Sequence, residues 1–514
     1  MRGKLKIHYV LWQTGEVIKL VNRKHRVRMR YFLAAGMIIA GRAAAAAEKE
    51  TQSQESILQI FIQQDETLAE ELTERLEKAS GIALTVLSGG ISPGTKLRQY
   101  LMAGIIPDVI QFQGQTQARL YLEAGLLLDL DESRELLPEL YGNPDYETAL
   151  NYSRSELGGD GGLYLVPSGI GSAGDMMEAL PLIMQSGWKK AGKETAGQLD
   201  DYMEILNQMI RTSPLNSTGE PMFGMSLYEE KEGVFTGIAA WEAMYGYEYG
   251  AASRLMEINM KNGEIASVFS DDSMFWQVLQ FYAKAYQGGL LDEDSRYQTR
   301  RSMEGKVQNG RVFLITDQAL AGVYNQRMES FGFREENTDG YVVVPSLDMQ
   351  ICIERERPVG TNGYWAVYRY SEDTEKACEL LNEIYKDESV WNADGMAETE
   401  SGQDDGPALD PASEREYGCG VLAYLEQEEL LLEKQTACYL LKEVPTEMER
   451  SIEKLTERLE EVSWEVIYAG NDSQAERMWE QLKQEADMLG MEEIEAFYRQ
   501  EWERAKELEE EILQ

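Results

Sequence analysis

Histidine is almost absent from this sequence, which contains two in 514 residues, His8 and His25. Both lie within the first 47 residues, a segment with the features of an export signal. Once that signal is removed, the chain would contain no histidine. This absence excludes Ser-His-Asp and Cys-His catalysis and every metal site that uses a histidine ligand.

Cysteine is also scarce, and no two cysteines are close in sequence. The four residues are Cys352, Cys378, Cys419 and Cys438. Because no C-x-x-C pair occurs, we do not expect a zinc cluster or any other metal site. In an oxidising compartment the four thiols can form two disulfides, with three connectivities, or can remain as buried free thiols.

Basic residues are outnumbered by acidic ones, 49 to 90, and the formal net charge is -41. The first 47 residues carry ten of the bases and only one acid, Glu16, so the remainder has 39 bases, 89 acids and a net charge of -50. A surface this acidic repels the phosphate backbone of nucleic acids. We therefore exclude nucleic acid as a partner.

A long apolar run is missing too. The N-terminal apolar run at 31–41 is shorter than the ~20 residues that a helix needs to span a bilayer. It follows the basic cluster 23–30 and precedes the alanines at 43–47, which together predict a secretory signal over residues 1–47. Arg42 leaves open an uncleaved amphipathic anchor, and Met29 is an alternative start. Either way we expect an exported, extracellular or envelope-associated protein.

From residue 56 onward, predicted strands alternate with predicted helices, a pattern typical of an α/β fold with a parallel sheet. In such open sheets, ligands bind beyond the carboxyl ends of the strands. Gln64 and Asp65 follow the first predicted strand, Ser88 the second and Gln113 the third. We expect these side chains along one edge, although Asp65 can instead cap a helix, and Ser88 and Gln113 can be turn residues.

The C-terminal part has a different composition. Residues 392–418 are polar and acidic and are predicted to form a mobile surface loop. From 422 onward the sequence is highly charged and predicted to be helical, with Trp464, Trp479 and Trp502 on the buried faces.

Several stretches carry a family resemblance. They are GTKLRQYLMAGIIPDVIQFQGQTQARLYLEAGLLLDL (94–130), LYLVPSGIG (163–171), EGKVQNGRVFLIT (304–316), VVVPSL (342–347), RPVGTNGYWAVYRYSEDTEKACELLNEIY (357–385) and SWEVIYAGNDSQAERMWEQLKQEADMLG (463–490). In this order they resemble the family 1 extracellular solute-binding proteins of bacterial carbohydrate ABC transporters. The sequence departs from Gram-positive members in lacking a lipobox cysteine, and its 392–440 segment is longer and more acidic than the resemblance leads us to expect.

The resemblance implies a two-lobe, periplasmic-binding-protein-like α/β fold of type II, with a hinge of crossing strands and a helical C-terminal region. Carried over, lobe 1 would comprise 48–167 and about 345–390, and lobe 2 would comprise 168–344 and about 391–514. The crossing strands would be 164–167 and 342–345. Pro167 and Pro345 would limit where these strands bend.

The implied ligand is a sugar or oligosaccharide held between the lobes. Amide and carboxylate side chains would bind its hydroxyl groups, and an aromatic ring would cover its apolar face. The candidates for the polar contacts are Gln64, Asp65, Ser88, Gln113, Asp317, Gln318, Thr361 and Asn362. For the ring we favour Trp241, then Tyr245 one turn along the same predicted helix, although Trp241 can equally belong to the core.

The resemblance further implies that the chain is a monomer that delivers its ligand to ABC permease subunits in the membrane, without a cofactor and without catalysis. Two alternatives stay open from the residues alone. One is a secreted glycoside-active enzyme that uses a carboxylate pair, and the other is a protein that presents its ligand to a sensor kinase.

We expect Gln113→Ala and Asn362→Ala to abolish the rise in melting temperature that a bound sugar produces, because each removes an amide contact with the hydroxyl groups. Thermal shift with a sugar panel measures this effect, and the melting temperature of the ligand-free variants is the control. A ligand-induced shift retained by both variants would show that these residues do not contact the sugar.

Overall fold

The computed structural model describes residues 57–63, 66–90, 93–177, 180–192, 195–229, 233–330, 340–343, 346–361, 363–386, 430–442 and 444–512. The predicted signal, the predicted acidic loop, Gln64, Asp65, Pro345, Asn362 and Cys419 lie outside these residues. None of the helices in the described part of the chain combines the length and the apolar character needed to cross a membrane.

The chain divides into two compact units. Unit 1 extends to Ser168 and resumes at Asn362–Trp391, and unit 2 comprises Gly169–Thr361 and the residues from Asn392 onward. The α/β class is therefore distributed over two units, as the sequence predicts. The predicted return to the first unit at about 345 differs from this division, because residues 346–361 belong to unit 2.

Unit 1 is built on one mixed sheet with the strand order β2-β1-β3-β14-β4. Its strands are β1 (Leu58–Ile62), β2 (Leu84–Ser88), β3 (Val109–Gln113), β4 (Val166–Pro167) and β14 (Gly363–Val367). Its helices are α1 (Glu66–Ser80), α2 (Pro93–Met102), α3 (Gln115–Glu123), α4 (Pro138–Gly142), α5 (Glu147–Tyr152) and α12 (Thr374–Lys386), with a π-helical turn at Ser153–Gly158.

The first three strands of this sheet are parallel, as predicted from the strand-helix alternation. Leu58 is opposite Leu84, and Ile60 is opposite Val109. The strand β14 returns from the far end of the chain and pairs antiparallel with β3 and with β4. The central strands are buried on both faces, which explains why β1 and β3 are almost continuously apolar.

Unit 2 contains three sheets within the described residues. They have the orders β12-β6-β11-β7, β10-β9-β8 and β15-β13-β5. Their strands are β5 (Gly171–Met177), β6 (Leu182–Met184), β7 (Phe223–Met225), β8 (Tyr247–Tyr249), β9 (Met256–Asn259), β10 (Glu264–Ser267), β11 (Val312–Ile315), β12 (Tyr341–Val343), β13 (Ile351–Arg357) and β15 (Leu431–Glu433).

The described part of unit 2 also contains nine helices. They are α6 (Gln185–Lys190), α7 (Asp201–Thr212), α8 (Gly233–Met244), α9 (Met274–Gln287), α10 (Arg300–Gln308), α11 (Gln318–Ser330), α13 (Thr446–Ile467), α14 (Asp472–Met488) and α15 (Met491–Ile512). The strand β13 pairs with β5 and β15, both of unit 2. This pairing is the physical reason why residues 346–361 remain with unit 2.

The C-terminal tryptophans pack inward, as predicted from the sequence. Trp464, Trp479 and Trp502 are each at most 3% exposed. The indole of Trp479 stacks on Trp276 of α9, with ring centroids 4.9 Å apart and an interplanar angle of 6°. The Trp502 indole donates a hydrogen bond to the Gly263 carbonyl at 2.7 Å. The rings of Trp479 and Trp502 attach α14 and α15 to the rest of unit 2.

Three cysteines are free and buried: Cys352, Cys378 and Cys438. Burial raises the pKa of the Cys378 thiol to about 11. Of the two alternatives for the cysteines, disulfides or buried free thiols, these three residues therefore show the second.

Two buried acids lie close enough within unit 2 to influence each other. The Glu257 carboxylate accepts hydrogen bonds from the Met274 and Phe275 amides at the start of α9, at 3.0 and 3.1 Å. The Glu242 carboxyl on α8 is fully buried and has no hydrogen-bond partner among the described residues. Burial raises the pKa of Glu257 to about 7, and burial together with Glu257 and Glu248 raises the pKa of Glu242 well above its ordinary value.

We expect the free energy of unfolding to fall as pH rises from about 4.5 to about 7, because the native protein keeps the Glu257 proton that the unfolded chain releases. A pKa displaced by this much corresponds to about 3 kcal/mol. Glu257→Gln should remove that part of the pH dependence in urea unfolding at a series of pH values. Glu264→Gln, on the exposed side of β10, is the matched control. An unchanged pH slope in Glu257→Gln would contradict the prediction.

Candidate functional site

The carboxyl ends of the parallel strands of unit 1 meet at one edge of the sheet. The register pairs Ile62 with Ser88, and it pairs Gln113 with Gly363. Ser88, Gln63 and Gln113 therefore follow one another along this edge, in the order of β2, β1 and β3. The edge lies where open α/β sheets bind their ligands.

A network of glutamines occupies this edge. The Gln63 backbone N–H donates to Gln111 Oε1 at 3.0 Å, and the Gln63 side chain donates from Nε2 to Gln117 Oε1 at 3.0 Å. Gln63 is only 3% exposed. The polar Gln111 lies on an otherwise apolar strand because its oxygen satisfies the backbone where β1 ends.

A fourth glutamine connects the edge to the second half of the chain. Gln115, at the first position of α3, is 4% exposed, and its Nε2 donates to the hydroxyl oxygens of Tyr364 and Tyr152 at 3.1 and 3.4 Å. Its Oε1 accepts from Arg119 Nη2 at 3.4 Å, and the same nitrogen donates to the Glu156 carbonyl. Amides and phenols supply both donors and acceptors, which suits the recognition of hydroxyl groups.

Unit 2 has a comparable edge. Its parallel pair β7 and β11 is aligned so that Met225 is opposite Leu314. Tyr228 lies three residues beyond β7, and Asp317 lies two residues beyond β11. Both therefore lie at the carboxyl ends of parallel strands.

An ion pair dominates this second edge. Arg300, the first residue of α10, donates from Nε and Nη2 to the two carboxylate oxygens of Asp317 at 2.8 and 3.1 Å. Asp317 Oδ1 also accepts from the Leu320 amide at 3.1 Å, so the same carboxylate caps α11. Tyr228 hydrogen-bonds with both partners, and burial followed by the charge of Asp317 raises its pKa to about 12.

Gln298 holds together the two loops that carry these residues. Its Nε2 donates to Ser226 Oγ at 2.7 Å and to the Leu227 carbonyl at 2.6 Å. The same nitrogen lies 3.2 Å from Asp292 Oδ2, an oxygen that also accepts from Lys306 Nζ at 2.6 Å. Gln298 thus fixes the loop of Tyr228 against the loop that precedes Arg300.

Tyr297 is an exposed aromatic residue in the loop that precedes Arg300. It is 76% exposed, and it precedes Gln298, whose side chain is held in place. Its ring meets Tyr468 edge-on, with centroids 6.4 Å apart. An exposed ring with a fixed backbone can cover the apolar face of a sugar.

Comparison with solved structures gives a consistent result. The fold is similar to S. pneumoniae FusA, an ABC-transporter substrate-binding protein, as an EF-hand mutant in complex with fructo-nystose (14% identity, TM-score 0.57, 88% of this chain and 99% of that chain covered). It is also similar to an HMO-binding, ABC-transporter-associated solute-binding protein of Bifidobacterium longum infantis (14%, 0.59, 88% and 99%). A third is an extracellular solute-binding protein of Bifidobacterium longum subsp. infantis (14%, 0.56, 89% and 100%).

The chain has the extracellular solute-binding-protein fold. The similarity extends over nearly the whole of each of these proteins. No protein-family model matches the sequence, and the comparison with curated proteins found no match. The two-unit α/β fold that the sequence resemblance implies is thereby confirmed.

Within this solute-binding-protein fold, some of the predicted site residues lie at the two edges and others do not. Ser88 and Gln113 end β2 and β3 at the edge of unit 1, and Asp317 and Gln318 lie together at the edge of unit 2, both buried. Thr361 lies against Gly169, whose φ of +63° places it in the left-handed region; a Cβ there would be 3.1 Å from the Thr361 methyl. Pro167 of β4 pairs with Tyr364 of β14. It lies one residue before Ser168, where the first segment of unit 1 ends.

The aromatic candidates are not at either edge, so the structure corrects that expectation. Trp241 is completely buried between Tyr202 and Phe281, and its indole NH donates to the Tyr282 hydroxyl at 3.1 Å. Tyr245, further along the chain, is 7% exposed. The helix α8 is buried almost all round, so the face that carries Trp241 is core.

Sequence reasoning missed several residues at both edges. They are Gln63, Gln115, Tyr152 and Tyr364 in unit 1 and Tyr228, Tyr297, Gln298 and Arg300 in unit 2. The position of Gln63 directly after a strand and of Gln115 at a helix start was a usable signal. Nothing in the sequence indicated that Arg300 would pair with Asp317.

We expect Gln298→Leu to lower the free energy of unfolding by about 1–3 kcal/mol, because it leaves the buried Ser226 and Asp292 with fewer hydrogen bonds. Urea denaturation of the purified protein measures this change. The matched control is Gln308→Leu, which removes a partly exposed helix contact with Glu304. Equal stability of Gln298→Leu and the wild type would show that this link does not hold the loops.

Proposed function

We propose that the chain is the extracellular substrate-binding component of an ABC importer, which captures a sugar or oligosaccharide and delivers it to a membrane permease. The observation that carries this proposal is the similarity to FusA, which covers 88% of this chain and 99% of that one. FusA is in complex with fructo-nystose, and a second similar protein is described as HMO binding.

The chemistry of the two edges supports a carbohydrate ligand. Unit 1 presents half-buried Gln117 and Arg119 beside a network of amides and phenols. Unit 2 presents the exposed ring of Tyr297, which precedes Gln298, whose Nε2 donates to the Leu227 carbonyl. Hydroxyl-binding groups and an aromatic face are the two elements that sugar recognition requires.

The proposal includes no catalytic step and no cofactor. Asp317, the buried acid at the edge of unit 2, is engaged by Arg300 and by the Leu320 amide and so is not free to act as a base. We propose a monomer that acts outside the cytoplasmic membrane. Closure about a hinge that includes Pro167 stays a prediction from the resemblance.

The test is binding without turnover. The purified chain from residue 48 is titrated calorimetrically with neutral oligosaccharides, namely fructans, glucans, galactans and xylans, and the recovered sugars are examined by mass spectrometry. One-to-one binding with unchanged sugar supports the proposal. Shortened oligosaccharides would favour the glycoside-active alternative, and an absence of binding to every sugar would contradict the proposal.

We expect Tyr297→Ala to weaken binding of the sugar identified in this way by about tenfold, because stacking on one ring contributes on the order of 1 kcal/mol. Calorimetric dissociation constants measure this loss. Tyr370→Ala removes a ring that is 51% exposed on unit 1 and is the matched control. If both variants bind like the wild type, Tyr297 does not contact the ligand.

A further inference from the structure

The loop that carries Tyr297 runs alongside the segment that follows strand β7. The Leu227 amide donates to Ser295 Oγ at 3.0 Å, and the Glu229 amide donates to the Gln298 carbonyl at 3.1 Å. Since β7 pairs in parallel with β11, this segment continues from the carboxyl end of a parallel strand. Tyr297 therefore lies within unit 2 at a position where open α/β sheets bind their ligands.

A tyrosine from the C-terminal helical region closes the turn of this loop. The Arg296 amide donates to the Tyr468 hydroxyl at 3.0 Å, and the same hydroxyl donates to the Glu293 carbonyl at 2.9 Å. Residues 293 and 296 are three apart, so the hydroxyl lies between a carbonyl and an amide that bond directly in a closed β-turn. A phenol fills both roles because its hydroxyl group donates and accepts.

The side chain of Tyr468 is itself held in place. Tyr468 directly follows α13, and its backbone N–H donates to the Trp464 carbonyl at 3.1 Å. Its ring centroid lies 4.4 Å from that of Tyr286 on α9 and 6.4 Å from that of Tyr297. Burial raises the pKa of Tyr468 to about 12, so at neutral pH the hydroxyl keeps the proton that it donates. The helices α13 and α9 thus set the position of this hydroxyl.

We propose that Tyr468 is a positioning residue for sugar binding, because its hydroxyl fixes the loop from which the Tyr297 ring meets the ligand. This inference rests on the proposed function and deepens it, since it gives the C-terminal helical region a part in recognition. A loop that is fixed before the ligand arrives does not have to be ordered during binding, so less of the interaction energy is lost. Tyr468 acts through Tyr297.

Tyr468→Phe tests the proposal directly, because it removes the hydroxyl and keeps the ring that contacts Tyr286 and Tyr297. The ligand is the neutral fructan, glucan, galactan or xylan oligosaccharide that the wild type binds. We expect the variant to bind it about threefold more weakly in calorimetric titration, because the loop then has to be ordered on binding. The matched control is Tyr249→Phe, which removes a hydroxyl that donates to the Arg254 carbonyl at 3.0 Å elsewhere in unit 2.

Two further measurements separate positioning from a general loss of stability. If Tyr468 acts through Tyr297, adding Tyr468→Phe to Tyr297→Ala causes no further loss of affinity, which a double-mutant cycle measures. Trypsin cleaves after Arg296 and so reports the opening of the loop without any sugar. We expect this cut, followed by mass spectrometry, to be about fivefold faster in Tyr468→Phe and unchanged in Tyr249→Phe, because one lost hydrogen bond raises the open population.

The outcomes are distinct. Weaker binding and a faster cut in Tyr468→Phe, with no added loss of affinity in the Tyr297→Ala background, support the inference. Wild-type affinity or a wild-type rate of cleavage in Tyr468→Phe, or an equal loss of affinity with and without the Tyr297 ring, overturns the inference and leaves the proposed function in place. If the wild type binds none of the four kinds of oligosaccharide, the proposed function fails and the inference fails with it.

Discussion

The pairing of β3 with β14 is the interaction on which the edge of unit 1 depends. It joins Val109–Gln113 to Gly363–Val367, two segments separated by about 250 residues of chain. It places Tyr364 within reach of Gln115, and it buries Trp365 to 1% exposure. Two further backbone bonds extend the link, from Leu128 to the Val367 carbonyl and from Tyr368 to the Asp108 carbonyl. Without this strand the glutamine network would lose one of its two phenol partners.

The polar groups of both edges are held in place before any ligand arrives. Gln63 and Gln115 in unit 1, and Gln298 in unit 2, are each at most 7% exposed and hydrogen-bonded to neighbouring loops. Buried amides with satisfied partners are stiff, because breaking one bond leaves an unpaired group in a poorly solvated place. Under the proposed function, the groups that would contact a ligand are the half-exposed side chains next to them. Affinity then does not have to offset the ordering of these loops.

Local patterns in the sequence were enough to predict the parallel strands β1, β2 and β3, because each is short, apolar and followed by an amphipathic helix. The inward packing of Trp464, Trp479 and Trp502 was predicted for the same reason. The failures involve contacts between distant segments. Residues 346–361 stay with unit 2 through the pairing of β13 with β5, which no local pattern reveals.

The aromatic prediction failed for a related reason. Trp241 lies on a helix that is apolar on every side, so its periodicity gives no exposed face. The sequence alone cannot distinguish a ring for a sugar from a ring for the core in such a helix. Tyr297 shows the opposite case, since it lies in an irregular loop whose order comes from the hydrogen bonds of Gln298. Its availability follows from tertiary contacts alone.

The exposed charges of the chain and the enclosed charges at its strand ends act over different distances. Several acids of α13, α14 and α15 pair with a base three or four residues away, as Glu495 does with Arg499 and Glu503 with Lys506. Such exposed pairs contribute little each, and salt screens their field within about 10 Å. The Asp317 side chain, 8% exposed, is shielded from water to a greater degree than any of these four. An enclosed charge at a strand end therefore acts on the groups in direct contact with it, while the many exposed charges act together and repel anions at a distance.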